Sequence, residues 1–500
     1  MLYVNLLIFN TLKEINIVWL KRDVRLTRHY ALQHAVQDKI PTLICYIFEP
    51  ELLLHEDYSQ RHFSFIFTSL QKLNKQLEKY NKSIEIYYGN VIEILYEITQ
   101  KYHVRKLLSY QETGVKATFE RDKQVSIFCK EQNIIQIEFP FNGIQRGKYN
   151  KKMWADSFMK EAFTKIPEVN FEQLNVVQLH LKQGFELPYN ISIYPKTMQP
   201  PGEDFAWRYL NDFLEKRSFT YFRHISKPTE SRISCSRISP YLAWGNISLG
   251  SVFQALKKKM DEGNNKRNLA QFRSRLFWNN HFIQKFEQDD RIEFENYNRA
   301  FDAVRNDINE HYLKSWKTGY TGYPLVDACM RCVIETGYLN FRMRAMLVSF
   351  LTHQLFQPWQ AGVHHLAQQF LDFEPGIHYP QFQMQAFTQG TNTMRIYNSV
   401  KQSQDHDPEG IFIKKWVPEL NQIPGNLIHE PWKLTPIEQN FYHFRVGIDY
   451  PEPIVDHEAE ASKNKKILSD ILKSEKAKQE IKKILKKHHR LNEAELNEDE

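Results

Sequence analysis

Apolar positions along the first 140 residues follow two alternating patterns. Short β-branched runs, Ile15–Leu20, Thr42–Phe48, Ser83–Tyr88, Arg105–Tyr110 and Ile134–Phe139, predict buried strands. Between them the apolar spacing widens to three and four. The clearest case is Gln60–Tyr80, where Phe63, Phe67, Leu70, Leu73 and Leu77 share one helical face. Strand–helix alternation with short turns predicts a doubly wound parallel α/β sheet domain over residues 15–140. The first strand is followed by LKRDVRL and not by a glycine-rich fingerprint, so a Rossmann-type dinucleotide site is not supported. The rhythm lapses over 141–202, where Pro195 and Pro200-Pro201-Gly202 predict a long surface connection. Helical spacing then takes over in Ala206–Lys216, Ser251–Met260, Asn268–Glu287, Tyr323–Thr336, Met343–Phe356 and Ala361–Phe370. It predicts a larger all-α domain over 203–455. In Lys463–Leu491, Ile467, Leu468, Ile471, Leu472, Ile481, Ile484 and Leu485 form a stripe on a charged helix. Residues 456–500 therefore read as a charged tail, helical or disordered, with a solvated helix favoured.

Composition narrows this picture. The chain has 500 residues, 42% of them hydrophobic and 25% charged, as expected for a globular protein of two or three domains. No apolar run is long enough for a membrane span, and the apolar start has neither the basic lead nor the cleavage site of a signal peptide. Five cysteines exclude a disulfide scaffold and suit a reducing cytoplasm. The net charge of +7 is uneven: Lys463–Arg490 holds 11 bases against 3 acids, and the last eight residues hold five acids. A mildly basic body permits contact with a phosphate backbone without demonstrating it.

Several chemistries are missing. The sequence has no H-E-x-x-H, P-loop, G-x-S-x-G or kinase signature. Cys329 and Cys332 have ligand spacing but lie on an amphipathic helix with no second pair, so they read as core residues, and no metal is expected. Denser signals lie elsewhere. Ser234-Cys-Ser-Arg-Ile-Ser239 crowds hydroxyls and a guanidinium before a helix opened by Pro240, which suits a phosphate cradle or simple capping. Arg342 and Arg344 precede an apolar helix, and Asp372 and Glu374 share a loop. Arg344 and Asp372 could orient a polar ligand edge or form an ordinary ion pair.

The run WKTGYTGYPLVDACMR, Trp316 to Arg331, resembles the signature of the photolyase/cryptochrome flavoproteins. Segments starting at Trp19, Ser236, Arg342, Ser349, Arg395, Asp407 and Trp416 agree in order and interval, so the resemblance covers about residues 15–450. It marks a divergent bacterial-type member, outside the iron–sulfur branch because no cysteine lies beyond Cys332. The resemblance implies an α/β antenna domain and a helical domain holding FAD non-covalently. It assigns Tyr221, Cys235, Ser236, Arg237, Ile238 and Ser239 to the FAD phosphates and ribityl chain. Arg344 and Asp372 fall beside the isoalloxazine, with Glu374 where the family usually has an aspartate. His378 falls where repair enzymes place an asparagine against flavin N5, which predicts pH-dependent flavin photoreduction between about pH 6 and 8.

The same resemblance marks departures. Trp359 matches the middle tryptophan of a three-step electron relay. Phe382 stands at the proximal step, and Ala303–Asn306 supplies no distal tryptophan. Trp278 matches the residue that stacks on a cyclobutane dimer. Arg275 replaces a pocket glutamate, Ala345 a methionine and Met384 an aromatic. Asn340 and Arg344 replace the histidine pair of the (6-4) repair enzymes. A folate or deazaflavin antenna near Ser109–Val115 stays open. The implied function is a cytoplasmic, monomeric, light-driven DNA photolyase acting on UV-damaged DNA. The alternatives are a cryptochrome-like photoreceptor without repair activity and a plain FAD- and nucleic-acid-binding protein.

Overall fold

A computed structural model describes residues 12–147, 151–181 and 188–488. The apolar start up to residue 11 and the acidic end at 493–500 lie outside them. The described chain forms two compact units. The first comprises residues up to Glu215, Ser236–Gln288 and Leu371–Pro375; the second comprises Lys216–Cys235, Asp289–Phe370 and the chain from Gly376.

The first unit is built on five parallel strands: β1 (Glu14–Leu20), β2 (Thr42–Phe48), β3 (Glu85–Tyr88), β4 (His103–Tyr110) and β5 (Ile135–Phe139). Their order is β3-β2-β1-β4-β5, with every pair parallel. Both sheet faces are buried, which is why the strands read as continuous apolar runs. Ile15, Ile17 and Trp19 of β1 and Leu43, Cys45 and Ile47 of β2 share one core with the helices Val91–Lys101 and Lys116–Glu131. On the opposite face Phe48 meets Phe63 and Phe67 of the helix Gln60–Leu77, with ring centroids 6.4 and 6.3 Å away.

The sequence 141–202 is not the plain surface connection that its prolines suggest. It contains the helix Lys151–Phe163, whose Phe158 packs on Phe253 and Phe277 at 5.2 and 4.9 Å. The Trp154 indole donates to Asn280 at 2.8 Å. Gln284 donates to the Gln145 carbonyl (2.9 Å) and accepts from the Gln145 amide (2.7 Å), so the long helix Lys266–Gln288 clamps the start of this stretch. The pairing partners are scattered amides, which carry no periodicity. Gly245 is required where it stands: φ is +73°, and a Cβ would lie 2.0 Å from the Arg22 carbonyl oxygen.

The second unit is helical. Asp327, at the start of the helix Pro324–Thr336, ties down the preceding turn by accepting from the Thr321 amide (2.8 Å), the Thr321 hydroxyl (2.7 Å) and the Gly322 amide (3.1 Å). It also accepts from the Tyr450 hydroxyl. Gly322 has φ +80°, and a Cβ there would meet the Glu452 carbonyl at 2.3 Å. These bonds give the signature run its local logic. The helix Phe341–Ser349 continues into a π-turn over Phe350–Gln354. The carbonyl of His353 accepts from Asn464 at 2.9 Å.

The solvated-helix expectation for the C-terminal segment fails. Two helices, His457–Lys473 and Glu475–His488, close the segment, and the first packs through Leu468, Ile471 and Leu472 onto Phe301, Val304 and Phe387. The Ala477 carbonyl accepts from Asn298 at 3.2 Å. Three residues of the apolar stripe thus have partners, and Ile484 is also buried, while the exposed positions are mostly charged or polar.

Candidate functional site

In the first unit the strand ends at the β1/β4 switch point carry a dense ion network, the position at which open α/β sheets bind ligands. Arg121 reaches Glu49 and Glu112 at 2.6 Å and Asp122 at 2.9 Å, and its guanidinium lies 5.0 Å over the Trp19 ring. Lys21 reaches Asp122 at 2.9 Å. The surrounding carboxylates hold the Arg121 guanidinium above its usual value against the opposing effect of burial. Burial pushes the Glu49 carboxyl up, while Arg121 opposes it. The crevice left among these groups measures about 30 Å³, room for about one water and not for a ring system. Asp23 and His29, both fully buried, pair at 2.8 Å. His29 Nδ1 accepts from the Leu32 amide, so Nε2 carries the proton donated to Asp23. Burial lowers the His29 imidazole. The Asp23 carboxyl is also held down: burial opposes that shift, and the hydrogen bond from His29, the nearby Arg25 charge and the Lys21 amide outweigh it.

Arg22 pins the loop Leu371–Pro375. It donates to the Phe373 carbonyl (2.8 Å), pairs with Glu374 (3.2 Å), and lies 5.0 Å over Trp244. The Trp244 indole in turn donates to the Leu371 carbonyl at 2.7 Å. Asp372 is thus half-buried on a loop fixed on both sides, and Glu374 serves as an ion-pair partner of Arg22. Sequence reading missed this anchor, although Arg22 and Trp244 both lie in segments that carried the resemblance. Nearby in sequence, Arg237 adopts φ +60°, and its carbonyl accepts from Gln199. Ile238 is buried, while Ser236, Arg237 and Ser239 are half-buried. Arg275 and Trp278 lie one turn apart on the helix Lys266–Gln288 and both are exposed, Trp278 by 49%. The Trp278 ring is held edge-on by His281 (5.6 Å) and tilted against Phe282 (5.6 Å).

The second unit brings Arg344, His378 and Trp359 into one aromatic cluster. The Arg344 guanidinium lies 4.1 Å over Phe370, with Nε donating to the Leu339 carbonyl at 2.7 Å. His378 is ringed by Phe370, Tyr379 and Phe382 at 6.1, 5.7 and 5.5 Å. Its Nε2 lies 2.9 Å from the Val363 carbonyl, which can only accept, so Nε2 carries a proton. Trp359 is buried 6.4 Å from Phe382 and 6.3 Å from Tyr379, and its Nε1 donates to Asn296 at 2.8 Å. Tyr379 therefore sits beside Trp359, a neighbour that pattern alone could name only as one option among several. Tyr221 is buried, and the Cys235 carbonyl accepts from Arg217. Asn340 donates to the Ile225 carbonyl at 3.1 Å, which occupies it structurally.

Two family models match this chain. The FAD binding domain of DNA photolyase covers residues 272–470, and the DNA photolyase model covers 16–142. The chain belongs to the photolyase/cryptochrome family and carries an FAD-binding domain. It is 27% identical to the deoxyribodipyrimidine photo-lyase of Alkalihalophilus pseudofirmus, over 89% of this chain and 96% of that protein. It is 23% identical to a cryptochrome DASH of Gloeobacter violaceus, over 90% and 95%. The fold is that of a bacterial class III photolyase from Agrobacterium tumefaciens, with a TM-score of 0.80 at 22% identity over 92% and 98% of the two chains. Among the described residues no helix is long and apolar enough to cross a membrane.

Proposed function

We propose that the chain is a light-driven, FAD-dependent DNA photolyase that acts on UV-induced pyrimidine photoproducts. The observation that carries the proposal is the exposed Arg275–Trp278 face. A large aromatic ring is held half open to solvent by His281 and Phe282, with a guanidinium one turn away. Such a face offers stacking to a base and charge to a phosphate.

The donor types present fit FAD. In the first unit the half-buried Ser236 and Ser239 hydroxyls and the Arg237 guanidinium suit a diphosphate, beside the buried Ile238. In the second unit, taken by itself, Tyr221 and Cys235 are of suitable type, and Arg344 offers a planar donor set braced on Phe370. Asp372, on the loop that the Arg22–Glu374 pair pins, supplies the carboxylate that would set the polarity of the flavin edge. When bound, reduced FAD supplies the photoexcited electron that opens the lesion. The chain's own residues orient and protect. Phe370, Tyr379 and Phe382 exclude water around His378, which holds or yields a proton at Nδ1. Trp359 serves as an electron relay, with Tyr379 as its neighbour.

Arg275 itself favours the second reading, a cryptochrome-like photoreceptor, because the resemblance expects a carboxylate at that place. The test illuminates the reduced protein with DNA carrying defined photoproducts and follows each lesion by chromatography. Light-dependent loss of a lesion is the expected result. Flavin photoreduction with no lesion lost would replace repair by photoreception.

A further inference from the structure

The last two helices of the second unit, His457–Lys473 and Glu475–His488, carry nine lysines between residues 463 and 486 against three acids, and all nine lysines are exposed. Charge of one sign on a helix is ordinarily a solvated face. On Glu475–His488 the lysines are sorted more sharply than solvation requires.

Successive residues of a helix turn by about 100°. Ala477, Ile481 and Ile484 therefore share one side, where Ala477 and Ile484 are buried and Asn298 donates to the Ala477 carbonyl. Lys476, Lys478, Lys482, Lys483 and Lys486 fall within an arc of roughly 160° on the other side, along about 15 Å of helix. The two acids of this helix are already engaged, Glu475 with Lys478 at 2.6 Å and Glu480 with Lys483 at 2.7 Å. Lys476, Lys482 and Lys486 have no ion-pair partner among the described residues. One face thus presents three uncompensated ammonium groups to solvent.

The make-up of the face selects among anionic partners. A helix that lies on a membrane must give its apolar side to lipid, and here that side is used in packing. Protein partners favour aromatic and arginine anchors and disfavour lysine, and this arc holds neither kind of anchor. A row of compact, mobile ammonium groups suits phosphates, in contacts that position a partner without reading its sequence. Duplex DNA carries one negative charge per about 1.7 Å of axis, so the row can face several phosphates at once.

We propose that the exposed lysine face of Glu475–His488 is a sequence-independent contact for the phosphate backbone of duplex DNA. It uses no residue of the Arg275–Trp278 face, and it rests on the reading of the chain as a DNA-binding photolyase. The test titrates the FAD-loaded full chain into a labelled, undamaged duplex at a series of KCl concentrations, followed by fluorescence anisotropy. The triple variant Lys476→Gln, Lys482→Gln, Lys486→Gln should bind about tenfold more weakly at low salt, and its slope of log Kd against log[KCl] should fall by about 2–3. The triple variant Lys476→Arg, Lys482→Arg, Lys486→Arg should keep both affinity and slope. Glutamine and arginine are good helix formers, and unchanged flavin spectra and helix content report that the fold is intact. The same affinity and slope in the glutamine variant would overturn the proposal and leave the DNA reading standing, as would a loss of binding in the arginine variant. A parent chain that binds no duplex would overturn both. Poly-glutamate held by the parent as tightly as the duplex, and weakened equally in the glutamine variant, would reassign the face to an acidic protein.

Discussion

Replacing Arg121 with methionine tests whether the switch-point crevice is held shut by charge. The guanidinium serves three carboxylates within 2.9 Å and is buried against Trp19. Methionine keeps much of the volume and removes the charge, which leaves Glu49 and Glu112 without it while Asp122 retains Lys21. Breaking a buried network from one side costs about 3–5 kcal/mol. The pH dependence is more telling than the size. Glu49 already has a raised carboxyl value in the fold, so the stability linked to its proton is full below its ordinary 4.5 and is lost as pH rises through the folded value. Without Arg121 that folded value climbs, and Glu112 has lost the same partner. The destabilisation should therefore be largest near pH 8 and shrink toward pH 5. Urea unfolding followed by tryptophan fluorescence across that range measures both. A loss under about 1 kcal/mol, or one that is flat with pH, would refute the reasoning.

Three further outcomes are expected. Trp278→Ala should weaken binding to damaged oligonucleotides by about 1–3 kcal/mol with unchanged FAD content, measured by fluorescence anisotropy; an unchanged affinity removes Trp278 from the DNA face. Burial pushes the Asp327 carboxyl up to about 6 from 3.8, so its contribution to stability is full below 3.8 and lost as pH rises through 6, by about 3 kcal/mol at most. Asp327→Asn should flatten that part of the stability–pH curve, and a curve parallel to the parent's would contradict it. Leu468→Ala, in a site with no exposure, should cost about 2–5 kcal/mol locally and speed hydrogen exchange in 457–488, whereas unchanged exchange would show that the C-terminal helices are held elsewhere.

Strands and long helices were legible because burial writes a period into the sequence. Gln60–Leu77 and Lys266–Gln288 appear within a few residues of their expected bounds. The helix Lys151–Phe163 and the docking of the C-terminal pair were not. The first rests on two aromatic residues and on amide pairs contributed from far along the chain. The second was hidden because a charged helix looks the same whether or not its narrow apolar stripe has a partner. At the site, residue types carried the resemblance, but partners did not: that Glu374 braces Arg22, and that Tyr379 sits beside Trp359, depends on chain folding that brings distant residues together.

The widened turn at Phe350–Gln354 has a consequence for chain length. A π-turn holds one residue more than a regular α-turn, and the surplus releases a carbonyl from the ladder. In this turn the His353 carbonyl, one of the last in the helix, is the acceptor for Asn464, while the His353 ring receives Arg305. Deleting a single residue there would rotate the downstream chain by roughly 100° about the helix axis. Asn464 would lose its acceptor and Arg305 its imidazole in one step. One tie of the helix His457–Lys473 thus depends on the length of a turn far upstream of it, which no reading of hydrophobic periodicity reveals.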